Sequence, residues 1–222
     1  MKNVLLSYPR SGNHLVRFFI ELLSEKPTFG CGDNPKDIEI YKNKFSENIP
    51  FNISSSENKE GCYFKFHGHE KYENNIENTK INNLILIIRN PKEVLLRHNN
   101  FSMNIKNFDM YFKDIDIYDN HKGKKLLLYY EDILTDKVTF INTLYDFLEI
   151  NNTDKKAYTI ENINKLFNLS LNPNGRIWGG NNSNGNLDFY YKKIPKYMKP
   201  EFDRYLNEKL ENYQFLKEKY NL

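Results

Sequence analysis

Three stretches of this 222-residue sequence carry side chains suited to holding an anion and moving a proton beside it. The first is Tyr8-Pro9-Arg10-Ser11-Gly12-Asn13-His14, where an apolar run breaks before an amphipathic one begins. A turn placed there opens a helix, whose first N–H groups lack partners and whose dipole favours negative charge. Arg10 adds a fixed cation, Ser11 a hydroxyl donor, and Gly12 lets the backbone come close to a ligand. The same residues also suit a plain helix cap. They do not form the nucleotide loop Gly-x-x-x-x-Gly-Lys-Ser/Thr, because Gly12 is the loop's one glycine and no lysine follows it.

The second stretch is Cys62-Tyr63-Phe64-Lys65-Phe66-His67-Gly68-His69-Glu70. Strand alternation puts Lys65 and His67 on one face and Phe64 and Phe66 on the other, so a cation and a titratable base meet at the strand's end. His69 continues that row only if the strand runs through Gly68, and a solvated strand end has the same appearance. The third stretch runs from Leu84 to His98. Arg89 stands where a strand apolar on both faces gives way to a helix, the place where open α/β sheets collect ligands. Arg97 follows two turns later. Arg89 suits either an anion or a surface pairing with Glu93.

The elements that must position these residues are strands over 3–7, 62–67, 83–88 and 125–129. Between and after them lie helical patterns. Leu15, Phe18, Phe19, Leu22 and Leu23 form an apolar stripe, with His14, Arg17 and Glu21 off it. A helix over 91–100 has Asn90 as its cap and Pro91 at its first position. Val138, Ile141, Leu144, Tyr145 and Leu148 mark a third helix after Thr135-Asp136, and 159–168 and 199–213 predict two more. This order implies an α/β fold in three layers, a mainly parallel central sheet flanked by helices, within a single domain over 1–222. Residues 32–60 and 171–187 show no period, and loops of that length are functional or disordered.

Lys and Arg total 32 against 29 Asp and Glu, a net charge of +3. That balance fits one anionic ligand better than a polyanion, so no nucleic-acid partner is expected. Cys31 and Cys62 make neither a disulfide framework nor a metal set, and no metal is expected. No run approaches about 18 apolar residues and no signal-peptide pattern opens the chain, so a soluble, cytoplasmic protein without a membrane span is expected.

In order and spacing these stretches resemble the PAPS-dependent sulfotransferase family, PAPS being 3′-phosphoadenosine 5′-phosphosulfate. Tyr8-Pro9-Arg10-Ser11-Gly12-Asn13 looks like the family's 5′-phosphosulfate loop, usually Tyr-Pro-Lys-Ser-Gly-Thr. Phe64-Lys65-Phe66-His67 resembles the Lys-Thr-His segment that ends in the catalytic histidine. Ile87-Ile88-Arg89-Asn90-Pro91-Lys92-Glu93-Val94 is similar to the 3′-phosphate segment, and Tyr129-Tyr130-Glu131-Asp132 to the Tyr-Glu-Asp element whose tyrosine lies near the adenine. The chain departs from the pattern at Arg10, usually lysine, at Arg97, usually serine, and at Leu15, often tryptophan. It has no Arg-Lys-Gly near its C-terminus, where Arg176, two residues before Trp178, is the nearest candidate.

The resemblance implies a P-loop-NTPase-like sulfotransferase architecture, PAPS as co-substrate, adenosine 3′,5′-bisphosphate (PAP) as product, and no metal. His67, or else His69, would be the general base, helped by Arg10 and Lys65. Arg10, Ser11, Gly12, Asn13 and His14 would hold the 5′-phosphosulfate. Arg89, Arg97 and Arg176 would hold the 3′-phosphate, and Tyr130 would meet the adenine. The acceptor would be a hydroxyl or amine of a small molecule or glycan, shaped by 32–60, 99–120 and 171–195, with the aromatics Phe101, Phe108, Tyr111 and Phe112 suiting either a pocket or the core. Two rivals are a P-loop-like nucleotide or small-molecule kinase and a catalytically silent nucleotide-binding protein.

Overall fold

The computed structural model describes residues 2–24, 26, 28–29, 60–67, 80–99, 102–150, 164 and 191–222. Its strands are β1 (Lys2–Ser7), β2 (Thr28–Phe29), β3 (Tyr63–Phe66), β4 (Ile81–Ile88) and β5 (Lys124–Tyr129). The helices are α1 (Asn13–Ser24), α2 (Pro91–His98), α3 (Ile105–Asn120), α4 (Tyr130–Thr135), α5 (Lys137–Leu148), α6 (Lys199–Leu210) and α7 (Gln214–Tyr220). The five strands lie in the order β2-β3-β1-β4-β5, and each neighbouring pair is parallel.

Parallel pairing brings all the carboxyl ends to one edge. Leu6 is level with Phe66, Ser7 with Ile87, and Ile88 with Tyr129. The residues that follow, Tyr8 onward, His67, Arg89 and Tyr130, therefore leave the sheet side by side.

Strand alternation divides the core in two. Val4, Leu6, Phe64, Leu84, Leu86 and Ile88 face a layer containing Val94, Phe108, Tyr111, Phe202 and Leu216. Leu5, Ile85, Ile87 and Leu128 face Leu15, Phe18 and Phe19 of α1 and Phe140, Ile141 and Leu144 of α5. Leu84 through Ile88 are at most 2% exposed, because both sheet faces are covered there. Each such side chain stabilises the fold by roughly 1.5–3 kcal/mol.

Several expectations change. Arg17 and Glu21 lie off the apolar stripe of α1, yet they are 0% and 1% exposed. They hold the edge strand β2: Arg17 Nε donates to Thr28 Oγ1 at 2.7 Å and Nη2 to the Thr28 carbonyl at 3.2 Å. Glu21 Oε1 accepts the Thr28 N–H at 2.9 Å and also its hydroxyl. A buried charge is tolerated when its bonds are supplied in this way. Helix α2 ends at His98, with the Asn99 N–H bonded to the Leu95 carbonyl, and α6 ends at Leu210. Residues 105–120 are a helix whose Phe108, Tyr111, Phe112 and Ile115 enter the core rather than an acceptor pocket. Val138 is 41% exposed, so it is outside the α5 stripe. The loops 32–59 and 171–187, Phe101, and all but residue 164 of the helix expected over 159–168 lie outside the described residues. No helix among the described residues is long and apolar enough to cross a membrane.

Candidate functional site

The site is built on Ser7, the last residue of β1. His67 stands next to it because Leu6 pairs with Phe66, and His67 Nδ1 lies 2.5 Å from the Ser7 carbonyl oxygen. A carbonyl only accepts, so the shared proton belongs to Nδ1 and the basic lone pair of the imidazole is on Nε2. The Ser7 hydroxyl is 3.5 Å from the same Nδ1 and accepts from Asn13 Nδ2 at 3.0 Å. One serine thus joins the end of β3 to the start of α1.

The loop between them is tight. Ser11 N–H donates to the Tyr8 carbonyl at 3.2 Å, and Arg10 and Gly12 both take left-handed backbone, with φ of 73° and 98°. Arg10 is exposed. Ser11 is fully buried, and among the described residues neither its hydroxyl nor Asn13 Oδ1 has a hydrogen-bond partner. Such groups are costly to bury unless a ligand meets them. A Cβ at Gly12 would come within 2.3 Å of Tyr130 Cδ2, so only glycine lets the Tyr130 ring close over the loop.

Positive charge gathers here. The imidazole of His14 is held down to about 3, from 6.5, first by loss of hydration and then by the charges of Arg17, Lys65 and Arg10. His14 is therefore neutral near pH 7 and offers a hydrogen bond, while the surrounding cations favour an anion. β3 ends at Phe66, so Lys65 is on the strand and His67 is the first residue beyond it, one short of the expected strand end.

Arg89 is 5% exposed, not at the surface. Its guanidinium carbon lies 4.3 Å from the centre of the Tyr130 ring, and Nη1 donates to the Arg10 carbonyl at 3.2 Å. Nη2 is 3.6 Å from Glu93 Oε2. The expected pairing with Glu93 is therefore made, by a buried residue rather than a surface one. The Arg89 carbonyl accepts from Tyr111 Oη at 2.9 Å, which fixes the backbone where β4 turns into α2. Asn90 caps α2 by accepting the Lys92 N–H at 2.9 Å.

No protein-family model and no curated protein matches the sequence. Solved structures do match. Mouse sulfotransferase SULT7A1 complexed with PAP superposes with a TM-score of 0.57 at 16% identity, over 98% of this chain and 88% of that one. The chain has the sulfotransferase fold. Retinol dehydratase in complex with androsterone and inactive cofactor PAP gives 0.55 at 16% identity, over 94% of this chain and 80% of that one. Its complex with retinol and PAP gives 0.50 at 17%, over 94% and 81%.

On this sulfotransferase fold, Arg10, Ser11, Gly12, Asn13, His14, Lys65, His67, Arg89 and Tyr130 gather at the carboxyl edge of the sheet. Arg97 stands two turns along α2, in its last turn, where a cation also complements the helix dipole. Leu15 is 3% exposed and packs in the core. His69, Arg176 and Trp178 lie outside the described residues. Sequence reasoning did not include Ser7, Arg17 or Glu131. Ser7 has no signal of its own, because its role follows from register. Glu131 accepts the Asn90 N–H at 3.1 Å, and its signal was the element that resembles Tyr-Glu-Asp.

Proposed function

We propose that the chain is a PAPS-dependent sulfotransferase working as a single domain over 1–222. The observation that carries this reading is the fully buried Ser11 hydroxyl, without a hydrogen-bond partner among the described residues, inside a cationic loop at a helix N-terminus, beside an oriented imidazole. A tetrahedral, multiply charged oxyanion is the ligand that such donors suit.

PAPS, when bound, supplies the sulfuryl group: its sulfur–oxygen bond to the 5′-phosphate breaks as the acceptor oxygen or nitrogen bonds to sulfur, and PAP departs. His67 Nε2 takes the proton of that acceptor, a step typically worth about 10²- to 10⁴-fold. The Nδ1–H bond to Ser7 keeps the imidazole in the tautomer this needs. Arg10, Lys65 and the loop N–H groups balance charge on the leaving phosphate, and Ser11 and Asn13 orient it. Neutral His14 adds a hydrogen bond. Arg89 and Arg97, with Arg176, bind the 3′-phosphate, and Tyr130 lies against the adenine. Positioning and charge, rather than a divalent cation, carry the reaction.

The acceptor is a hydroxyl or amine of a small molecule or glycan rather than a nucleic acid, and the enzyme is soluble and cytoplasmic. Transfer of labelled sulfate from PAPS to a panel of such acceptors, in EDTA, tests the reading. Calorimetry supports it if PAP binds and ATP does not. Binding of ATP with a requirement for Mg²⁺ would make the protein a kinase instead, and PAP binding without turnover on any acceptor would make it a silent nucleotide binder.

A further inference from the structure

In a capping box, the third residue of a helix turns its side chain back to the N–H of the cap residue. In α2 the cap is Asn90 and that third residue is Glu93. Glu93 is 1% exposed and lies against Arg89 instead. The Asn90 N–H goes to a different carboxylate, Glu131 Oε1 of α4, at 3.1 Å. The other oxygen of Glu131 accepts Tyr220 Oη, from the last helix, at 2.9 Å. The neighbouring Asp132 takes Lys219 at 2.6 and 2.7 Å, docking α7 on the same short helix.

A carboxylate from another element thus does the work that the third helical residue does in an ordinary capping box. We propose that Glu131 is a positioning residue for the candidate nucleotide site. By occupying the Asn90 N–H it leaves Glu93 to Arg89, and α7, through Tyr220, holds Glu131 in place. Without Glu131 the cap N–H lacks its acceptor, a costly state for a group this near the interior. Glu93, on the same helix end, is the nearest replacement. Its move to the cap takes the anion away from Arg89, whose guanidinium keeps the Arg10 carbonyl but is held less firmly over Tyr130. What Arg89 binds rests on the sulfotransferase reading, whereas the exchange between Glu131 and Glu93 is a property of the fold.

Two readouts separate these. The first is the side-chain Nε–H signal of Arg89 in protein labelled with ¹⁵N-arginine, assigned with Arg89→Lys. The second is PAP affinity by calorimetry. Glu131→Ala is expected to broaden the Arg89 signal and to weaken PAP binding on the order of tenfold, the scale of a hydrogen bond to a charged group. Glu131→Gln, whose amide oxygen still accepts the cap N–H, keeps both. Glu93→Ala reproduces the losses, and adding Glu131→Ala to it makes neither worse. Where Glu131→Ala does not fold, Tyr220→Phe carries the test, with the same signal change and binding weakened about threefold. An unchanged Arg89 signal in Glu131→Ala or Tyr220→Phe, or equal losses in the Gln and Ala variants, overturns the proposal. Failure of the wild type to bind PAP removes the sulfotransferase reading, and the Arg89 signal still decides the exchange.

Discussion

Gly12 and Tyr130 occupy space that no Cβ could share, since one added at Gly12 would lie 2.3 Å from Tyr130 Cδ2. The contact joins the loop after β1 to the first residue after β5, strands separated by β4 in the sheet. Gly12→Ala also forces a side chain into left-handed backbone, φ 98°. The two effects together should destabilise the fold by roughly 2–4 kcal/mol in urea denaturation. Adding Tyr130→Ala should recover the clash but not the backbone strain, so the double variant should be more stable than the sum of the single effects.

Arg10 has left-handed backbone as well, φ 73°, without glycine's freedom. Arg10→Gly should leave folding stability unchanged or raise it by up to about 1 kcal/mol, as strain is relieved and chain entropy is lost. The same change removes the loop's exposed cation, so kcat/KM for sulfate transfer should fall at least about tenfold. Loss of stability with activity retained would reverse the proposed division between strain and charge.

Thr28 stands between two buried charges, accepting from Arg17 and donating to Glu21. Thr28→Val keeps the shape of the side chain and deletes both hydroxyl bonds. It should cost about 1–3 kcal/mol, measured by denaturant titration, because the charged groups lose a partner in the interior. Release of β2 should also speed hydrogen exchange on β3, its sheet neighbour.

His14 gives a pH dependence of definite sign. Its imidazole is held down to about 3 in the folded chain against 6.5 for an ordinary histidine. Between these values the unfolded chain binds a proton that the folded one refuses, so stability falls as pH drops from 6.5 toward 3. His14→Asn should flatten the stability profile in that window, and an identical slope in the two proteins would show that His14 does not titrate this way.

Much of the architecture was legible because period and burial coincide. Leu84 through Ile88 are apolar in sequence and covered on both sides in space, and Leu15, Phe18 and Phe19 form a stripe that packs on the sheet. β2 has two residues, too few to show alternation, and it is held by Arg17 and Glu21, whose burial depends on partners rather than on hydropathy. The residues of the candidate site were legible as types in order, because most of them stand at or just beyond the end of a strand. Their connections were not. The bond from His67 to Ser7 depends on strand register, and Glu131 reaches the cap of α2 because β5 pairs with β4, which no local spacing encodes.

The bond from His67 Nδ1 to the Ser7 carbonyl leaves the imidazole's basic lone pair on Nε2, the atom proposed to take the acceptor's proton. The most direct measurement is sulfate transfer from labelled PAPS, in EDTA, by the wild type and His67→Ala, with PAP affinity measured alongside. The expected result is turnover by the wild type, a fall of about 10²- to 10⁴-fold in the variant, and PAP binding within about twofold of wild type. Turnover by His67→Ala at the wild-type rate would contradict it.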